Sequence, residues 1–159
     1  MTDPATLLVL VLVPVLLASA VSDLRFLTIP NRHVLLGLGL FILAAPFALT
    51  WPDLAPRLIA AAITFAIGFV LFALRLFGGG DVKMMPVVML FIPSPDLVLY
   101  LRLFAAALLV VTLSALVLQN APLFRNLGWE SARNRRHVPV GVAMAASVLL
   151  LIGFRVWQG

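Results

Sequence analysis

The chain has 159 residues, 64% of them hydrophobic and 11% charged, with a formal net charge of +5 and a mean hydropathy of +1.17. A soluble domain of this size carries about 25% charged residues, so a water-facing surface is excluded and the solvent is lipid. The absence of cysteine excludes disulfides, thiolate metal sites, palmitoylation and a cysteine nucleophile; the basic residues lie between apolar runs, which points to membrane orientation and anionic lipid headgroups rather than nucleic acid.

The first apolar run is Ala5–Val21. Ala18-Ser19-Ala20 has the small-x-small look of a cleavage site, but Thr2 and Asp3 precede the run where a signal peptide has basic residues. It therefore reads as a membrane helix, ending at Asp23 with Arg25 just beyond. Pro30 forces Ile29 to be extended, so the chain turns there, and Asn31 is expected to cap the second helix. The second and third runs are Val34–Thr50 and Leu58–Leu74.

The sequence LFGGGDVKMMP, Leu76 to Pro86, then interrupts the oil with three glycines and an acid. The fourth run, Met84–Pro93, is short. Even from Asp81 to Pro93 there are 13 residues, about 20 Å as a helix, against a hydrocarbon core of about 30 Å. Either Asp81 starts below the inner surface or the segment is re-entrant. Both place Gly78, Gly79 and Gly80 at membrane depth, where non-helical backbone is tolerated only if buried in protein or lining a wet cavity. The last runs are Leu97–Leu118 and Val138–Phe154, separated by the basic stretch Gln119–His137. Arg102 is expected to snorkel, Trp51 and Trp157 to join an aromatic belt, and Met84, Met85 and Met89 to pack between helices. Pro14, Pro46 and Pro86 lie inside apolar runs, as membrane helices allow. The expected fold is all-α: a six-helix transmembrane bundle with a short or re-entrant fourth segment, residues 1–159 forming a single domain.

Lysine and arginine set the orientation. With the N-terminus outside, Arg25, Arg32, Arg75, Lys83, Arg125, Arg133, Arg135 and Arg136 lie inside, and Arg57, Arg102 and Arg155 outside. This imbalance predicts both termini outside. The six acids sort accordingly. Asp3, Asp53 and Asp96 fall in outer segments; Asp23, Asp81 and Glu130 fall inside, with Glu130 expected to pair within its basic loop. Asp23 and Asp81 thus share the cytoplasmic face. Two carboxyl groups within a few ångströms do not both ionise, and the pair titrates as a unit. A carboxylate beside a carboxylic acid deprotonates a water between them and protonates a leaving amine, as in aspartic proteases. The glycines offer an extended substrate strand room for close approach. Lys83 reads equally as an orientation charge or as an electrostatic partner of the acids or the substrate backbone. His33 and His137 lie near inner helix ends and make no metal site.

GGGD resembles the GxGD signature of intramembrane aspartyl proteases, and GGGDVKMM is similar to the GxGDxKL stretch of type IV prepilin peptidases. SDLRFLTIPN, Ser22–Asn31, resembles the segment carrying that family's first aspartate, and RRHVPVGVAMAAS, Arg135–Ser147, its last-helix motif, with Val140 where an aromatic residue is common. The resemblance implies that Asp23 and Asp81 are the catalytic pair. It further implies cleavage of the basic leader from prepilin or pseudopilin precursors at the cytoplasmic face of a bacterial inner membrane, without a cofactor. Pro30, Asn31, Gly78, Gly79, Gly80, Lys83, Pro139 and Gly141 then bind substrate or shape the site. Larger members carry a cytoplasmic domain, often with paired cysteines, and also N-methylate their product. This chain has neither insertion nor cysteine, so it resembles the short, peptidase-only kind that serves Flp pili (the CpaA/TadV type), and methylation is not expected. Lipids and the pilus or secretion machinery are the further partners implied.

Paired intramembrane acids also serve proton- or cation-coupled transporters. That reading expects polar groups along a route to the outer side, where the helices are nearly all apolar apart from Arg102 and a few hydroxyls. A non-catalytic assembly subunit would tolerate loss of either acid.

Overall fold

The computed structural model describes residues 4–118 and 138–158. Among these there is no strand; six α-helices run in chain order. They are α1 (Pro4–Phe26), α2 (Asn31–Ala48), α3 (Trp51–Ala73), α4 (Gly79–Phe91), α5 (Leu97–Leu118) and α6 (Val140–Gln158), with a 3-10 turn at Ser94–Asp96 before α5. Five of them, all but α4, are long and apolar enough to cross a membrane. The protein is a polytopic all-α membrane protein. The loop expected at Gln119–His137, with Arg125, Glu130, Arg133, Arg135, Arg136 and His137, lies outside the described residues.

All the helices but α5 start earlier or end later than the apolar runs, because hydropathy ignores polar residues that helix geometry accepts. α1 continues past Asp23 to Phe26, and the Leu27 amide donates to the Asp23 carbonyl at 2.9 Å. α3 begins at Trp51, where a capping box joins Thr50 and Asp53. Pro14, Pro46 and Pro86 all lie inside helices.

The short helix is the centre of the bundle. α4 touches α1, α2, α3 and α6, and Met84, Val88 and Phe91 have no exposed surface at all. A helix covered along most of its length has little polar face, which is why its apolar residues follow no stripe. Phe91 meets the ring of Phe41 on α2 edge-on at 5.3 Å. By contrast α2, α3 and α5 expose Leu43, Phe47, Ile59, Ile67, Leu109 and Val110, an apolar surface that only lipid suits.

Two arginines, one buried and one half-buried, anchor the end of the bundle near Pro93. Arg57 on α3 is 3% exposed. It donates from Nη1 to the carbonyls of Phe91 at 2.6 Å and Leu90 at 3.2 Å. These belong to the last turn of α4, whose carbonyls have no partner within the helix. At the same end Arg155 of α6 pairs with Asp96 and donates to Thr6 Oγ1 of α1 at 2.8 Å, so one guanidinium ties three segments.

Candidate active site

Asp23 and Asp81 lie at the opposite end of the bundle, each at the start of a helix that is not its own or just its own. Asp23 projects from the last turn of α1 and is 3% exposed. Its Oδ2 accepts the Gly141 amide, in the first turn of α6, at 2.6 Å. First-turn amides have no partner within their helix, and the positive end of the helix dipole favours an anion there. Pro139 precedes that turn and its carbonyl accepts the Val142 amide at 3.2 Å. Gly141 is required by space: a Cβ there would stand 3.0 Å from Asp23 Oδ2 and 3.3 Å from Ile29 Cδ1.

Asp81 is in the first turn of α4, third after the capping residue Gly78. Its carboxylate folds back on the Gly78 backbone amide, the position a capping-box acid takes. A Cβ at Gly78 would lie 2.9 Å from Asp81 Oδ2. The charge of Asp23 acts on Asp81, so the two carboxylates, remote in sequence, share one electrostatic site.

Ile29 is the spacer that brings them there. It is 5% exposed and sits between the helix starts. A Cβ at Gly80 would come within 2.7 Å of the Ile29 carbonyl oxygen, while the Ile29 side chain reaches Gly141. The turn that carries Ile29 is held by Ser22 Oγ, which donates to the Thr28 carbonyl at 2.9 Å, and by Leu27 at φ 49°. Pro30 then caps α2 with extended backbone.

Two expectations are corrected. Asn31 does not cap α2: Pro30 holds the capping position and no side chain caps it. Asn31 Oδ1 instead accepts Lys83 Nζ at 3.1 Å, across the gap between the α1–α2 turn and α4. An asparagine after proline is already inside the first turn, where its side chain points outward. Second, the glycine run is not an unwound stretch. Gly79 and Gly80 are helical, Gly78 is the cap, and the irregular backbone lies before them at Leu74–Gly78, with Arg75 at φ 59°. The glycines serve close approach rather than unusual angles; a Cβ at Gly79 would touch only the Phe72 ring, at 3.3 Å. His33, in the first turn of α2, is buried, with Nδ1 3.1 Å from Ser19 Oγ on α1.

A cavity of about 530 Å³ opens beside Asp81. Its walls come from the Arg75–Gly78 turn, from Leu108 and Thr112 on α5, and from Val138 and Val140 at the start of α6. No group of three or more metal-ligating side chains occurs among the described residues. Sequence reading passed over Ile29 as a spacer and Arg57 as an anchor. The first left a signal, an apolar residue between a turn and a proline; the second left none.

Residues 10–118 match the model of the type IV leader peptidase family. That span holds both aspartates and the glycine run and ends before Gly141. Comparisons with curated proteins and with solved structures give no match.

Proposed function

The chain belongs to the type IV leader peptidase family, and from that premise we infer that it is an aspartic endopeptidase with Asp23 and Asp81 as its catalytic pair. The observation that carries this is the convergence of two carboxylates on one site, Asp23 accepting the first-turn Gly141 amide and Asp81 folded back on the capping Gly78 amide. The pair shares one proton. The ionised carboxyl takes a proton from a water between them as its oxygen adds to the scissile carbonyl carbon. The protonated carboxyl gives its proton to the carbonyl oxygen. Collapse of the resulting diol breaks the C–N bond: the departing amine takes a proton from the acid that gained one, and a diol hydroxyl returns its proton to the other carboxylate as the new carboxyl group forms. The pair is returned to its starting state.

Substrates are type IV prepilins, Flp-like ones in this reading, cut between basic leader and apolar stem. The positive-inside imbalance places the aspartate end at the cytoplasm, with both termini outside. Methylation of the product forms no part of the proposed activity. Pro30, Pro139, Gly80 and Gly141 shape the site through the turns and close contacts described, and Asn31 with Lys83 closes one edge of it.

Asp23→Asn and Asp81→Asn keep size and remove the proton chemistry. Each should reduce leader removal by at least about 10⁴-fold while the protein still accumulates in the membrane. The measurement is mass spectrometry of a purified prepilin after incubation. Normal processing by either variant would sink the dyad mechanism.

A further inference from the structure

The first turn of α2 touches both helices that carry the aspartates. Asn31 Oδ1 accepts Lys83 Nζ at 3.1 Å, two residues after Asp81 on α4. His33 Nδ1 lies 3.1 Å from Ser19 Oγ, about one turn before Asp23 on α1. We propose that His33 is a positioning residue for the peptidase reaction: with Asn31 it makes this turn a bracket that fixes how far apart the Asp23 and Asp81 carboxyl groups stand. The proposal rests on the peptidase reading above and adds what sets the spacing of the pair.

The His33 contact has a direction. Ser19 Oγ donates its single proton to the Val15 carbonyl at 2.8 Å, so it accepts from His33, and the ring carries its proton on Nδ1. Both side chains are buried, so water does not readily replace either partner. Ser19 and Asp23 share the buried face of α1. Packing agrees with the hydrogen bonds: α1 and α4 pack on α2 more extensively than on each other. Ile29, two residues before Asn31, carries any movement of α2 to both acids. Its backbone lies against Gly80, next to Asp81, and its side chain reaches Gly141, whose amide holds Asp23. Without the His33 contact the start of α2 is free to shift on α1, and Ile29 shifts with it. The carboxyl groups then leave the spacing at which they share a proton over the attacking water. The other charged groups at this end among the described residues are Arg25, Arg32, Arg75 and Lys83, all exposed; the variants below leave them in place.

The test measures kcat, KM and the working pH range of purified enzyme on one prepilin precursor. His33→Leu removes the donor and should lower kcat by about 10²-fold, the cost of a reacting group misplaced by about 1 Å, with KM unchanged. Its pH range should narrow by about one unit, because acids that interact less hold the singly ionised state over a narrower range. That range does not depend on how much protein folds. His33→Asn keeps a donor near the Nδ1 position and should recover most of both losses. Asn31→Ala, which cuts the other arm, should narrow the range in the same way. Ser19→Ala removes the acceptor and replaces His33→Leu if that variant fails to accumulate. A variant without the His33–Ser19 contact that unfolds earlier, yet keeps the kcat and pH range of the unaltered enzyme, overturns the bracket alone. An unaltered enzyme that does not cut the precursor overturns the peptidase reading, and the bracket with it.

Discussion

Four neighbouring glycines face quite different fates on gaining a methyl group. At Gly141 the new Cβ would stand 3.0 Å from Asp23 Oδ2 and displace the carboxylate from its amide. Displacement of a reacting group by about 1 Å costs on the order of 10²-fold in rate, so Gly141→Ala should lower kcat by about that factor with little loss of thermal stability. At Gly80 the obstacle is the Ile29 backbone at 2.7 Å, which cannot rotate away. Gly80→Ala should destabilise the protein by about 1–3 kcal/mol, seen as earlier thermal unfolding in detergent. At Gly79 the contact is with Phe72, an exposed ring free to move, and Gly79→Ala should stay within about 0.5 kcal/mol. Gly78 faces the Asp81 carboxylate at 2.9 Å, so its substitution should affect rate as Gly141 does. Equal losses at Gly79 and Gly80 would contradict this account.

At the scale of elements, α4 is too short to span the membrane and stops inside the protein. Its final carbonyls would be costly there without a donor. Arg57 supplies one from α3, to Leu90 and Phe91. Arg57→Met keeps much of the packing and removes the donors, leaving buried carbonyls that cost about 1–3 kcal/mol each. The expected result is a loss of about 2–6 kcal/mol in detergent unfolding, with Arg57→Lys restoring part. A fall in activity without a fall in stability would show that Arg57 acts on the site instead. The opposite end of α4 is fixed by Gly78 and by the close contact of Gly80 with Ile29, so this one helix is held at both ends by other segments.

The whole molecule separates its charges by end. Asp23, Asp81, Asn31 and Lys83 gather at one end; Arg57, Asp96, Arg155 and Thr6 at the other. A chain without cysteine suits a labelling test of which end faces the cytoplasm. Arg32 and Trp157 are exposed at opposite ends. A cysteine introduced by Trp157→Cys should react with a membrane-impermeant maleimide on intact spheroplasts. One introduced by Arg32→Cys should react only in inverted vesicles. The reverse pattern would place the site on the outer face and remove the positive-inside reading.

The amino-acid sequence by itself determined the solvent, the all-helical class and the shortness of the fourth helix, because each depends on composition or run length within one segment. It also marked the Ile29-Pro30 turn and the glycine run, since proline and glycine restrict or free the backbone locally. The hydrogen bond between residues 23 and 141 was beyond it, as were the Ile29 spacer, the Lys83 contact that draws Asn31 away from a cap, and the inward turn of Arg57. An arginine near a helix end reads the same whether it snorkels outward or caps a neighbour. Those choices were made only when separate helices met, because the atoms that satisfy each buried polar group belong to distant parts of the chain.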